Sequence, residues 1–225
     1  LMKTLTIKGK SDGFGAQYQA ILSGIAYCNY MNYKYIHTPF SRMSHNENIT
    51  NLNQFIGIPP SNETQIDIIE KCCGDVHFSK NPDIYYTPEV LTMIRTYYYS
   101  TNKPNIQNPD IAIHIRRGDV KENNEKRFTN NNQYKQIISV LLETYPNYNI
   151  TIFSEGKKED FNDFIHERIY FQLNTDIEDT FHSLVSAKIL VTAKSSFSYC
   201  AALLNNNDIY YLPFWHNPLK HWKLF

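Results

Sequence analysis

From Ile111 onward the chain alternates between short apolar runs and amphipathic stretches. Five runs rich in β-branched and aromatic residues read as strands: Ile111 to Ile115, Asn149 to Ser154, Arg168 to Leu173, Lys188 to Ala193 and Asp208 to Pro213. Between them, residues 131–145, 158–166, 177–187 and 196–205 repeat their apolar positions at helical spacing. Strands buried on both faces and joined by helices predict a parallel, doubly wound α/β sheet. Ligands of such sheets sit at the carboxyl ends of the strands. That rule puts Arg116 to Asp119, Ser154 to Gly156 and Ala193 to Phe197 on one rim.

The first half is similar but less regular. Leu5 to Gly9 reads as a strand, Ser11 to Gln17 as a glycine turn, Tyr18 to Tyr30 as a helix and Tyr33 to Thr38 as a second strand. Residues 48–57 and 87–99 look helical, with a short strand near Gln65 to Ile69. Thr101 to Pro109 carries two prolines and no periodicity, so it reads as a linker. Two α/β domains facing a cleft, residues 1–104 and 105–225, are the expected organisation.

Charge narrows the partners. Twenty-two basic residues balance twenty-two acidic ones, which leaves no surplus to hold a nucleic-acid backbone. A phosphate ligand must then be small and local. Four cysteines, at 28, 72, 73 and 200, are too few for a disulfide framework, and the pair at 72–73 with His77 lacks a second pair at metal-ligand spacing. No apolar signal region and no run of about 18 apolar residues occurs, so a soluble, cytoplasmic chain is expected. The sequons at Asn48, Asn62 and Asn149 are the number chance supplies in an Asn-rich chain.

Two nucleotide motifs fail on spacing. Gly9-Lys10-Ser11 lacks the earlier glycine of a P-loop, since position 4 is Thr. Gly13-Phe14-Gly15 has two glycines of a dinucleotide fingerprint, but Tyr18 stands at the third. The turn still offers backbone N–H groups at a helix start. Arg117-Gly118-Asp119 spells an adhesion tripeptide, yet it follows a buried strand. On that strand His114 and Arg116 share a face, and Arg117 points the other way. Unpartnered guanidinium groups are costly inside a sheet, so the pair belongs at the strand end, where one can fork onto a diphosphate while Asp119 pairs the other. Ser195 and Ser196 open a helix that can present a hydroxyl and N–H groups to a phosphate, Phe197 can pack on a base or sugar, and Asp179 can accept from the two adjacent N–H groups of guanine.

In this order the residues resemble the α1,2- and α1,6-type fucosyltransferases and their protein O-fucosyltransferase relatives, most closely the α1,2 group. His114 to Asp119 is similar to their H-x-R-R-G-D segment, and Ile152-Phe153-Ser154-Glu155 to their I-F-S-D strand end. The stretch from Asp179 to Asn205 resembles their block of an acid, an apolar strand and an S-S-F-S helix start, and Gly13-Phe14-Gly15-Ala16-Gln17 resembles their glycine turn. The resemblance implies a GT-B fold, two Rossmann-like domains with an acceptor-side first domain and a GDP-fucose-binding second one. It implies metal-free, inverting transfer of fucose to a glycan hydroxyl, with no cofactor. Arg116 would stabilise the departing GDP. His114, Arg117, Asp119, Ser154, Glu155, Asp179, Ser195, Ser196 and Phe197 would hold the nucleotide sugar, with Gly13, Phe14, Gly15 and Gln17 forming a donor or acceptor turn. Ala16 stands where relatives carry Asn, Cys200-Ala201 departs as well, and the first domain is short for the group. Asp12, Asp119 and Glu155 remain open as general base. A transferase of another nucleotide sugar such as GDP-mannose, and a GDP- or glycan-binding protein without turnover, are the alternatives.

Overall fold

The computed structural model describes residues 2–44, 48–124 and 126–225, and they form two units. The first comprises the chain up to Lys103 together with Trp215–Lys220, and the second comprises Pro104–Phe214 and His221–Phe225.

In the first unit, strand β1 (Thr4–Ile7) leads to helix α1 (Phe14–Met31), followed by strand β2 (Lys34–Tyr35) and helix α2 (Ile49–Phe55). Strand β3 (Ile68–Glu70), helix α3 (Gly74–His77), a 3-10 turn at Pro82–Ile84 and helix α4 (Pro88–Tyr99) complete it. The sheet order is β2-β1-β3, all parallel. Helix α1 starts at Phe14, so the expected glycine turn ends at Gly13 and Gly15 to Gln17 are helical. It stops where Asn32 turns left-handed (φ 55°) and the Tyr33 N–H closes on the Cys28 carbonyl at 2.7 Å. Residues 215–220 are tied to the segment from His77 to Asp83 by hydrogen bonds that use side chains from both segments. His216 Nδ1 meets the His77 carbonyl at 2.9 Å, Asn217 Nδ2 donates to Ser79 O at 2.8 Å, and the Lys220 N–H donates to the Asp83 carboxylate.

The second unit holds six parallel strands. Strand β4 (Ile111–Ile115) precedes helix α5 (Asn131–Thr144), strand β5 (Ile150–Ser154) and strand β6 (Ile169–Leu173). Helix α6 (Ile177–Ser186), strand β7 (Ile189–Val191), helix α7 (Ser196–Leu204), strand β8 (Asp208–Tyr211) and strand β9 (Lys223–Leu224) follow. The order is β6-β5-β4-β7-β8-β9. Residues 158–166 do not form the expected α-helix: a 3-10 segment spans Lys158–Phe164 and breaks at Phe161 (φ −121°). Strand β9 is additional to the five strands expected.

Local chemistry explains most boundaries. Asn130 caps α5 by accepting from the Gln133 N–H, Asp176 caps α6 through Glu178, and Ser195 caps α7 through Phe197. Arg168 closes the far end of α5 by donating to the carbonyls of Leu142, Tyr145 and Tyr148. Helix α5 buries Tyr134, Ile137, Ile138 and Leu141, one helical face, against Ile111, Ile113, Ile115, Ile150 and Ile152. Truncating a fully buried isoleucine such as Ile113 to Ala would cost about 2–5 kcal/mol.

Candidate functional site

Sheet order decides where a ligand can enter the second unit. From β4 the chain steps outward to β5 and β6, then returns to pair β7 on the opposite side of β4. The two connections leaving the carboxyl ends of β4 and β7 diverge there, which opens a crevice at the topological switch point. Arg116 is the first residue beyond β4, and Ser195 follows β7 by a short turn.

Three segments meet on this rim. Arg116 forks onto Asp119, with Nη2 2.7 Å from Oδ2 and Nε 3.3 Å from Oδ1. Gly118 makes this turn possible: its φ is +74°, and a Cβ there would collide with the Glu155 carboxylate. Ser154 at the end of β5 donates from Oγ to the Ile115 carbonyl at 2.6 Å, which locks the two strand ends together. Asn174, just beyond β6, accepts from the Gly156 N–H and donates to the Gly156 carbonyl, holding the next loop.

His114 lies on the α6–α7 face of β4, its ring 5.5 Å from Phe197, and Phe197 in turn lies 5.1 Å from Phe181 of α6. One ring thus joins β4, α6 and α7. Burial first, and the Arg116 charge next, push His114 down to about 3, with Asp119 opposing them. Its imidazole is neutral at physiological pH, so it offers hydrogen bonding and ring contact in place of positive charge. Its Nδ1 is buried and makes no hydrogen bond among the described residues.

The serines divide their roles. Ser195 is buried and spends its Oγ on the Phe197 N–H, while Ser196 is the half-buried first residue of α7. Ser198, fully buried, accepts from the Ala193 N–H and so shapes the loop between β7 and α7. Asp179 is exposed in the first turn of α6. Arg117 is directed away from this group. It reaches Asn131 of α5 and stacks 4.3 Å over Phe128 on the opposite face of the sheet.

The glycine turn belongs to the first unit. Gly13 stands at the N-terminus of α1 with open space where a Cβ would project. Lys10 and Asp12 pair at 3.0 Å in the preceding loop. Gln17 is buried and donates to the carbonyls of Asp12 and Arg42, both at 2.7 Å, so it fastens the loop to the helix. Phe14 packs in an aromatic cluster with Tyr18, Phe40 and Phe55, and Gly15 is buried within α1. Phe14, Gly15 and Gln17 therefore belong to the start of α1 and brace the loop before it, and Gly13 borders the open side. Among the described residues no cluster of three or more His, Cys, Asp or Glu side chains suits a metal ion, and no helix is long and apolar enough to cross a membrane.

Asn131, Phe128, Asn174 and Ser198 escape sequence reasoning as parts of this site. Asn131 and Asn174 find their partners 14 or more positions away along the chain, beyond the reach of local sequence patterns.

No protein-family model matches the chain, and no curated protein matches it in sequence. Solved structures do resemble it. The bacterial iron-containing dodecameric glycosyltransferase TibC from enterotoxigenic E. coli H10407 aligns over 100% of this chain and 63% of its own, at 13% identity and a TM-score of 0.50. The E. coli heptosyltransferase WaaC with ADP-2-deoxy-2-fluoro heptose aligns over 100% and 93%, at 12% identity and a TM-score of 0.48. POFUT1 in complex with GDP-fucose aligns over 100% and 97%, at 10% identity and a TM-score of 0.47. The two parallel α/β units are those of the GT-B glycosyltransferase fold.

Proposed function

We propose that the chain is a glycosyltransferase that moves L-fucose from GDP-fucose to a glycan hydroxyl, with inversion and without a metal. The observation that carries this reading is the convergence of Arg116, His114, Ser196 and Phe197 on the carboxyl rim at the β4–β7 switch point. A guanidinium and a helix N-terminus at such a crevice suit a diphosphate. In fucosyl transfer the leaving GDP gains negative charge as the sugar becomes oxocarbenium-like. Arg116 and the N–H groups of α7 stabilise that charge more in the transition state than in the bound donor. The neutral His114 ring and Phe197 line the nucleotide side, and Asp179 accepts from guanine. POFUT1 supplies a GDP-fucose complex of similar outline, and TibC and WaaC are heptosyltransferases bound to ADP-linked sugars in related structures.

Calorimetry with GDP-fucose, GDP-mannose, GDP, ADP-heptose and a UDP-sugar tests the donor, followed by transfer to a glycan panel. Tight binding confined to guanine nucleotides, with fucose transferred, is the expected result. Preference for ADP or UDP would overturn the role of Asp179, and binding without transfer would make the chain a nucleotide-sugar-binding protein.

A further inference from the structure

We infer that Arg117 is a positioning residue: it clamps the Arg116 main chain to the start of α5 and so holds the Arg116 side chain at the diphosphate. The inference rests on the reading of the β4–β7 crevice given above. Arg117 Nη1 donates to the carbonyl of Arg116 at 2.8 Å, and Nη2 donates to Asn131 Oδ1 at 2.7 Å. Asn131 is itself held, because its Nδ2 donates to the Asp160 carbonyl at 3.1 Å and to Asp163 Oδ2 at 3.0 Å. Phe128 covers the guanidinium plane at 4.3 Å.

The need for a clamp follows from where the ladder ends. Pairing between β4 and β5 stops at Ile115, and pairing between β4 and β7 stops at Ile113. Arg116 lies beyond both, on a segment that turns back through the left-handed Gly118. Arg117 supplies the bond that the sheet no longer provides, and Asn131 transmits rigidity from α5 and the 158–164 segment. A guanidinium suits the task because its planar fork spans two acceptors while its face stacks on a ring. Lysine keeps the charge without the fork.

A double-mutant cycle separates this role from general stabilisation. Kd values for GDP and GMP are measured by calorimetry in the wild type, Asn131→Ala, Arg117→Lys, Arg116→Ala and the Arg116→Ala/Asn131→Ala double variant. The difference between GDP and GMP isolates the β-phosphate. With the clamp acting through Arg116, Asn131→Ala and Arg117→Lys each weaken GDP about tenfold and GMP less than twofold, as loss of one well-placed charged hydrogen bond predicts. In the Arg116→Ala background Asn131→Ala then changes GDP binding less than twofold. Equal losses for GDP and GMP, or full additivity with Arg116→Ala, overturn the inference and leave a purely structural arginine. A GDP preference untouched by either variant also overturns it, while a wild type that binds GMP as tightly as GDP sinks the diphosphate reading and the clamp with it. Arg117→Lys keeps the test decisive if Asn131→Ala does not fold.

Discussion

Arg116 and Asp119 close a two-point fork across Gly118, so the cation proposed for the diphosphate is already oriented by a carboxylate three residues away. Asp119 limits the rotamers of Arg116 and leaves the rest of the guanidinium edge for a second anion. The pair is partly exposed, so its worth to folding is small, at most about 1 kcal/mol.

Asp119→Asn therefore separates orientation from stability. The expected outcome is at least a tenfold loss of kcat/KM for transfer from GDP-fucose, with an unfolding free energy within about 1 kcal/mol of wild type. Unchanged kinetics would remove Asp119 from the account.

Gly118→Ala tests the turn itself. A left-handed backbone and a Cβ driven against the Glu155 carboxylate predict a destabilisation of about 1–3 kcal/mol, read as a lower urea midpoint with unchanged slope. A midpoint equal to wild type would show that the turn relaxes freely.

Gln17→Ala removes two donations that fasten the loop before α1. Leaving the Asp12 and Arg42 carbonyls without these partners predicts a loss of about 1–3 kcal/mol in urea unfolding. If Gln17 were instead a ligand residue, stability would hold and only substrate binding would fall.

Acid should weaken the fold through four partly or fully buried histidines. Burial lowers His37 and His77 to about 4 and His114 to about 3, and it lowers His216 as well. Each folded-state pKa lies below the unfolded value near 6.5, so the unfolded chain binds more protons in between. Their contribution is complete above pH 6.5 and is lost as pH falls towards 4, on the order of 2–3 kcal/mol for each strongly shifted ring. Urea unfolding at intervals from pH 7.5 to 4.5 should show stability falling steadily below pH 6.5. A flat profile across that window would contradict the burial of these rings.

What could be read early follows from range. Strands β4 to β8 were legible because buried parallel strands demand unbroken apolar runs, and α5, α6 and α7 because their caps act within three residues. Strand β9 was invisible: Lys223 and Leu224 carry no pattern, and they become a strand only by pairing with Tyr210 and Tyr211. Of the candidate site, the opposite directions of Arg116 and Arg117 were visible in the strand's two-residue alternation. Their partners were not. Asp119 was expected beside the arginine that does not take the diphosphate; the structure pairs it instead with Arg116, the one proposed for the diphosphate, while Arg117 goes to Asn131.

By itself the sequence determined strands β4 to β8, helices α5 to α7 and the residue types available at their ends, since periodicity, capping and turn chemistry act over a few bonds. Only the tertiary structure decided that the end of β4 adjoins the end of β7, whose strands pair Ile111 with Ile189. Parallel pairing joins segments far apart in the chain, and the order of strands depends on how helices cover both faces of the sheet. That order creates the switch point proposed as the ligand site, and the packing around it gives Arg116 to Asp119 and Arg117 to Asn131.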